Sequence, residues 1–358
     1  MLDASEKFIS ALAYSHQSLT KVLIDGTQMP IVSGSITLDQ SRGVLCTGNM
    51  RIANEYGIAD AITTASRVDI YKGIKFLDRT EEYVLIAQCI VQDATRDDVN
   101  NAWRDLVLAD HGQFVEDLPL LAPFSPSGMT YVQAIQALIT AAVPYTPDWW
   151  VDGSVSSASP PADAIVQFNT GRWSAIQQFS QAIGVVVQNV PVDGFPNGVW
   201  AIYNVPTDGD PVHDFYTGAG GVVTGATRTA SRREIFNGIA AEWGTSDTEG
   251  GIVIVTDDDP SSPTYWDGPW GKKARTLTGA ALPTSDAAIA AATVELSKSK
   301  GAQSGINFSS VYMPLVQTGD IIGVRLPNTV REKHIIDTIT LPLVGGVMTA
   351  TTRVVGVA

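Results

Sequence analysis

The chain has 358 residues, more than one hydrophobic core usually carries, so two or three domains are expected. Its formal net charge of −14 argues against nucleic acid as a bound partner, because phosphate affinity comes from Lys and Arg. An apolar share of 44% with only 17% charged residues, 32 Gly and 19 Pro describes an ordered, turn-rich β protein or a subunit that hides surface against neighbours.

The first segment, 1–20, holds a helical pattern over 4–17 with Phe8, Ile9, Leu12 and Ala13 on one face. It carries a single Lys, so packing on a neighbouring domain or subunit is expected and membrane binding is not. The start also lacks the basic region and long apolar core of a signal peptide, which implies synthesis in the cytoplasm with no export signal. No apolar run reaches the length of a membrane span.

Residues 21–122 look entirely β. Strands are predicted at 22–24, 29–32, 35–39, 46–52, 67–72, 83–91 and 102–109, with Asp25-Gly26, Gly43, Gly57 and Gly73 as turns or breakers. Arg67-Val68-Asp69-Ile70-Tyr71 alternates strictly, so one face points inward. One closed or nearly closed barrel of about six or seven strands is the expected outcome. Cys46 and Cys89 are the only cysteines; two buried thiols are favoured, and a bridge between strands stays open.

Pro119, Pro123 and Pro126 mark a boundary into a small α+β unit at 123–205. Its helices are predicted at 130–142, with Val132, Ile135, Leu138 and Ile139 at helical spacing, and at 172–184, with Trp173, Ile176, Phe179 and Ile183. The Pro- and Ser-rich stretch 144–164 reads as an ordered loop or flap, and 185–190 and 199–203 as strands. From 206 to 358 the β texture returns. Strands are predicted at 222–223, 227–231, 236–243 and 251–256, a polar loop at 257–271, one helix at 286–299 capped by Thr284 or Ser285, and closing hairpins over 306–357.

Motifs for chemistry are missing. His16, His111, His213 and His334 form no metal-ligand spacing, and no Ser sits in a nucleophile elbow. Asp257-Asp258-Asp259 lacks the Gly and closing Glu of a calcium loop, and Gly218-Ala219-Gly220-Gly221 lacks the Lys and strand-to-helix setting of a phosphate loop. No catalytic, cofactor-binding or metal-binding residue is assigned, no cofactor is expected, and the chain reads as a non-enzyme. Trp149, Trp150, Trp266 and Trp270 lie in loops where they could stack on sugars, although a buried plug or a subunit contact is the default for such rings.

The order of several segments resembles a known family. VLIDGTQMPIVSGSITLD (22–39) and VDIYKGIKFLDRTEEYVLIAQCIV (68–91) are similar to its opening barrel, and GMTYVQAIQALI (128–139) to the helix that opens its inserted domain. RTASRREIFNGIAAEWG (228–244), with Arg232, Asn237 and Gly244, resembles the start of its second barrel. MPLVQTGDIIGV (313–324) and IIDTITLPLVGGVMTATTR (335–353) resemble its closing strands. The family is that of the tail hub, or minor tail, proteins of long-tailed bacteriophages.

The resemblance implies a mainly β fold of two barrels around a small α+β insert. It implies a structural virion protein at the tail tip that forms a homo-oligomeric ring, usually a trimer, beneath the tail tube and the distal tail adaptor. Such a ring closes or gates the DNA channel, carries tip or fibre proteins, and meets the tape measure protein. DNA would pass without specific binding, repelled by an acidic wall. Because the chain stops after its last predicted strand, cell-wall digestion and host binding are expected elsewhere. The alternative retained is a carbohydrate-binding receptor module built on the four tryptophans. A hydrolase with dispersed carboxylates is a further alternative, since such a pair leaves no spacing signal.

Overall fold

The computed structural model describes residues 2–357 apart from 13–15, 55–56, 161–164, 205, 207–208, 219, 229–231, 233–234, 245–249, 278–281, 283, 302–304, 312 and 328. A short helix, α1 (Glu6–Leu12), leads into seven strands: β1 (Gln17–Ile24), β2 (Thr27–Met29), β3 (Ile31–Asp39), β4 (Cys46–Ala53), β5 (Arg67–Lys75), β6 (Glu81–Arg96) and β7 (Trp103–Ala109). The middle of the chain holds α2 (Gly112–Asp117), α3 (Tyr131–Thr140), β8 (Trp149–Val151), α4 (Arg172–Ile183), β9 (Val185–Val190) and β10 (Val199–Asn204). The remainder comprises β11 (Asp214–Tyr216), β12 (Val223–Arg228), β13 (Gly238–Trp243), β14 (Gly251–Thr256), β15 (Ala274–Leu277), α5 (Ser285–Gly301), β16 (Ile306–Ser310), β17 (Ile321–Arg325), β18 (Glu332–Pro342) and β19 (Met348–Val357). The protein is mainly β.

Seven residues are too few for a stable isolated helix, so α1 depends on what it buries. Phe8 and Leu12 enter the core, each worth about 1.5–3 kcal/mol when fully buried, while Ile9 is 46% exposed. The apolar face predicted from spacing is therefore narrower than expected, and Ala13 lies outside the described residues. The strand predicted at 29–32 is two strands, β2 and β3, because Pro30 has no N–H to continue a ladder. β8 lies within the stretch 144–164 expected to be loop, and α2, β11 and β15 are too short to leave a periodic signal.

Strands from the two ends of the sequence share one sheet. Its pairing order is β12-β16-β19-β18-β3-β4-β7-β6-β5-β1-β2, with β17 on β18 and β11 on β17. The joint is β18 against β3, in antiparallel register from Thr338 opposite Asp39 to Pro342 opposite Ser35. Two smaller sheets, β8-β10-β9 and β14-β13-β15, lie apart from it.

Apolar burial divides into two clusters. The first gathers Phe8, Val22, Ile36 and Ile70 from the front of the chain with Phe215, Phe308 and Ile336 from the back. The second gathers Tyr131, Ile135, Trp173, Phe179 and Trp200 with Ile239, Ala288 and Ala292. The chain thus crosses from the first cluster to the second after β7, returns with β11, crosses again for 238–301, and returns for its last four strands. The alanine run of α5 lets that helix lie directly on β13 and β14.

Local chemistry explains the helix ends of the second cluster. Thr130 accepts from the Gln133 N–H at 3.2 Å while the Gln133 side chain accepts from the Thr130 N–H at 2.9 Å, a capping box worth about 1 kcal/mol. The Arg172 guanidinium, buried at the start of α4, donates to the Leu118 carbonyl at 2.9 Å and to the Leu138 carbonyl at 3.0 Å. One side chain thereby ties three helices.

Candidate functional site

The places where function could reside are the seam between the two clusters, the buried polar groups along it, the exposed strand edges and the tryptophans. Among the described residues no group of three or more His, Cys, Asp or Glu is arranged to hold a metal ion. His213 stands edge-on to Phe215 at 4.8 Å, and burial lowers its pKa. His334 is buried between Thr352 at 2.8 Å and Glu332 at 3.2 Å, and burial lowers its pKa.

The seam contains a groove of about 710 Å³ between the β3–β4 turn and strands β18 and β19 on one side and α4, β9 and α5 on the other. Its cations are matched by its acids. Arg42 meets Asp39 at 3.1 Å, Arg275 meets Glu295 at 2.7 Å, and Arg353 pairs with Asp337. An anion arriving here would have to displace an ion pair, so the groove reads as a joint. Trp173 closes it at the base: its indole N–H donates to the Gly112 carbonyl at 2.9 Å, and its ring lies where a side chain on Gly43 would be, at 2.4 Å.

Deeper in the seam, where the chain leaves β7, lie Asp110 and His111. Asp110 accepts from the Cys46 N–H at 2.6 Å and the Gly112 N–H at 2.7 Å, yet burial pushes its carboxyl up to about 7. His111 is 2% exposed and neither ring nitrogen has a hydrogen-bond partner; burial brings it down to about 4. Tyr145 stands edge-on to it at 5.3 Å, and the Tyr145 hydroxyl and the Trp200 indole N–H are buried beside each other. Nearby, Cys46 and Cys89 are free thiols, with the Cys89 S–H donating to Cys46 at 3.5 Å. That hydrogen bond, and then burial, raises the Cys89 pKa. Burial thus favours a neutral imidazole at His111 and a protonated thiol at Cys89. Spacing gives no sign of this cluster, since its members come from 46, 89, 110, 111, 145 and 200.

The tryptophans are dispersed over separate partners. Trp149 tilts against Trp200 at 6.4 Å, Trp266 fills the space over Gly238, and Trp270 lies under the Arg232 guanidinium at 4.6 Å. Trp150 is the exposed one, at 52%, beside Tyr203. The loop bearing Trp266 and Trp270 is held by buried Asn237, which donates to the Thr264 and Gly271 carbonyls at 3.0 and 2.9 Å and accepts from the Lys273 N–H at 2.7 Å. In the sequence Asn237 stands out only through the resemblance; in the fold it fastens that loop.

Several strands lie at sheet edges. Among the described residues β12 pairs only with β16, and β14 only with β13; on β14, Ile252 and Ile254 are 69% and 62% exposed. Open edges with outward isoleucines are pairing surfaces.

No protein-family profile matches the chain, and no curated protein matches it in sequence. Solved structures do. A tail protein from Neisseria meningitidis MC58 has a TM-score of 0.70 at 11% identity, covering 95% of this chain and 97% of that one. The 43 kDa tail protein of prophage MuSo2 from Shewanella oneidensis has a TM-score of 0.65 at 12% identity, covering 94% and 98%. An E. coli component of the type VI secretion system, described as structurally similar to the T4 bacteriophage tail proteins gp27 and gp5, has a TM-score of 0.56 at 10% identity, covering 93% and 76%. Both the Neisseria and the prophage structures are those of tail proteins. Over nearly its whole length, this chain has the fold of phage tail proteins.

Proposed function

We propose that the chain is a structural protein of a phage-type tail, a hub-like subunit located in the virion. The observation that carries this reading is the end-to-end match in fold to a tail protein of almost the same extent. The finer reading is a ring, a trimer, beneath the tail tube and distal tail protein at the tail tip. It would close or gate the channel, contact the tape measure protein and carry tip or fibre proteins. The likeness to the secretion-system component described as similar to gp27 and gp5 supports it. So do the open edges of β12 and β14, which suit pairing with neighbours.

Barrel closure in the front unit belongs to the same proposal. Its support is the run through Pro30, where one stretch of chain pairs with β1 on one side of the proline and with β4 on the other. Division into 21–122, 123–205 and 206–358 is likewise proposed. Support comes from the crossings between the two clusters near those points, with 238–301 adding to the middle unit. Limited proteolysis with mass spectrometry tests the boundaries.

Electron microscopy of the purified full chain, with mass photometry, tests the ring. Closed particles with a central hole and three copies are expected. Monomers at every concentration, with no incorporation into tails, would overturn the reading. The carbohydrate alternative has less support, because three of the four tryptophans pack on internal partners.

A further inference from the structure

The joint between the two halves of the large sheet is a fork. β1 and β2 form a two-residue hairpin at Asp25-Gly26, both at positive φ (48° and 80°), the geometry such a turn demands. The closing pair Ile24–Thr27 is followed by Leu23–Gln28 and Val22–Met29, where pairing ends at Pro30. Main-chain groups alternate in direction along a strand, so those of Thr20 and Ser18 point to the same side as those of Val22 and Ile24. On that side the ladder has ended, and no strand partner for Thr20 or Ser18 exists among the described residues. The chain that would have paired there has turned away as β3, whose far half is taken by β18.

A cleft of about 380 Å³ occupies the crotch, walled by Ser18, Thr20, Gln28, Ile31 and the 343–346 turn. Lys72 lies at its floor and is the only ionisable side chain among the described lining residues. It sits opposite Thr20 in the β1–β5 register and is 3% exposed. Its ammonium reaches across β1 to donate to the Leu343 carbonyl at 3.0 Å, the same oxygen to which the Thr20 hydroxyl donates at 2.5 Å. A cation is thus held beside an unfinished ladder on an otherwise acidic protein.

We infer that this cleft is a binding site for an extended peptide segment that adds to the open edge of β1 and presents an Asp or Glu side chain to Lys72. Strand addition supplies main-chain hydrogen bonds at Ser18 and Thr20, and side chains on alternate residues supply specificity. A residue opposite Thr20 on the added strand shares the face that carries Thr20 and Lys72, so its side chain is the one directed at the ammonium. Carboxylate complements the single charge of the cleft. Burial has already brought Lys72 down to about 8, so an arriving carboxylate favours its charged form. The site does not depend on the tail assignment.

The test uses the full chain and three synthetic peptides. One is acetyl-Thr-Val-Glu-Val-Thr-amide, the second has Gln in place of Glu, and the third is that Gln peptide with a free C-terminal carboxylate. Titration calorimetry is expected to show the Glu peptide binding at least tenfold tighter than either Gln peptide. In Lys72→Met that preference is expected to vanish. N-methylation of the central amide of the Glu peptide is expected to abolish binding, which reports strand pairing independently of whether Lys72→Met folds. Equal affinity for the Glu and Gln amides, a preference that survives Lys72→Met, or no binding at millimolar peptide would each overturn the site. Tight binding of the free-carboxylate Gln peptide would show capture of a chain end instead.

Discussion

At the scale of single residues, the seam is where charge and burial disagree. His111 stays neutral because burial disfavours its charged form, with Arg67 opposing protonation and Asp69 favouring it. Its folded pKa of about 4 lies below the ordinary 6.5, so the unfolded chain binds the extra proton between those values. The stability His111 contributes is complete above pH 6.5 and is lost as pH falls through about 4. Asp110 runs the other way: its folded pKa of about 7 exceeds 3.8, so its contribution declines as pH rises across that window. His111→Phe removes a ring whose two nitrogens bond to nothing, and is expected to change stability by no more than about 1 kcal/mol at pH 7.5. Relative to wild type the variant should be more stable at pH 4.5 than at pH 7.5. Urea melts at both values check this, and an unchanged difference would remove the account.

Two further residues bear on the same joint. Arg172→Ala leaves the Leu118 and Leu138 carbonyls without their donor and is expected to cost about 2–3 kcal/mol. Gly43→Ala puts a methyl group into the Trp173 ring and is expected to cost about 1–3 kcal/mol through overpacking. Thermal melts of both variants against a surface control decide whether the seam is held as described. A shift no larger than the control's would mean that neither contact matters.

At the scale of elements, exposed edges matter more than any pocket. β14 turns Val253 and Val255 toward the second cluster and leaves Ile252 and Ile254 to solvent, an alternation that buries one face and advertises the other. Ile252→Lys with Ile254→Lys should leave the folded stability within about 0.5 kcal/mol of wild type, since neither side chain is packed. It should weaken concentration-dependent association if β14 is an assembly edge, and sedimentation velocity reads that directly. Association unchanged by two added cations would exclude β14. The Asn237 bracket and the α3 capping box show the opposite economy, in which polar groups are spent on holding loops and helix ends inside one molecule.

At the scale of the whole molecule, the net charge of −14 predicts indifference to DNA. Fluorescence anisotropy with a DNA duplex at low salt should show no saturable binding. Salt-sensitive binding there would reveal a basic face and contradict the proposed passage of DNA past an acidic wall. The front and back of the chain are joined by hydrogen bonds between β3 and β18, so mechanical load on one half passes to the other through a shared sheet.

Much of this was legible from the amino-acid order alone, because local rules govern it. Helical spacing in 130–142 and 172–184 depends on neighbours within a few residues; the alternation expected at 67–71 does not hold, because Asp69 is buried along with Val68 and Ile70, where it meets Arg67 and Gln88. The mainly β character and the α+β middle followed from such patterns, and the likeness to tail hub proteins followed from their order. What only the tertiary structure decided involves residues far apart in the chain. β3 meets β18 across some 300 residues, α5 packs against α4, β13 and β14, and His111 finds Tyr145. The fork at Pro30 with Lys72 beneath it is of the same kind. Long-range pairing and burial are settled by which surfaces exclude water together, and no short window of sequence records that choice.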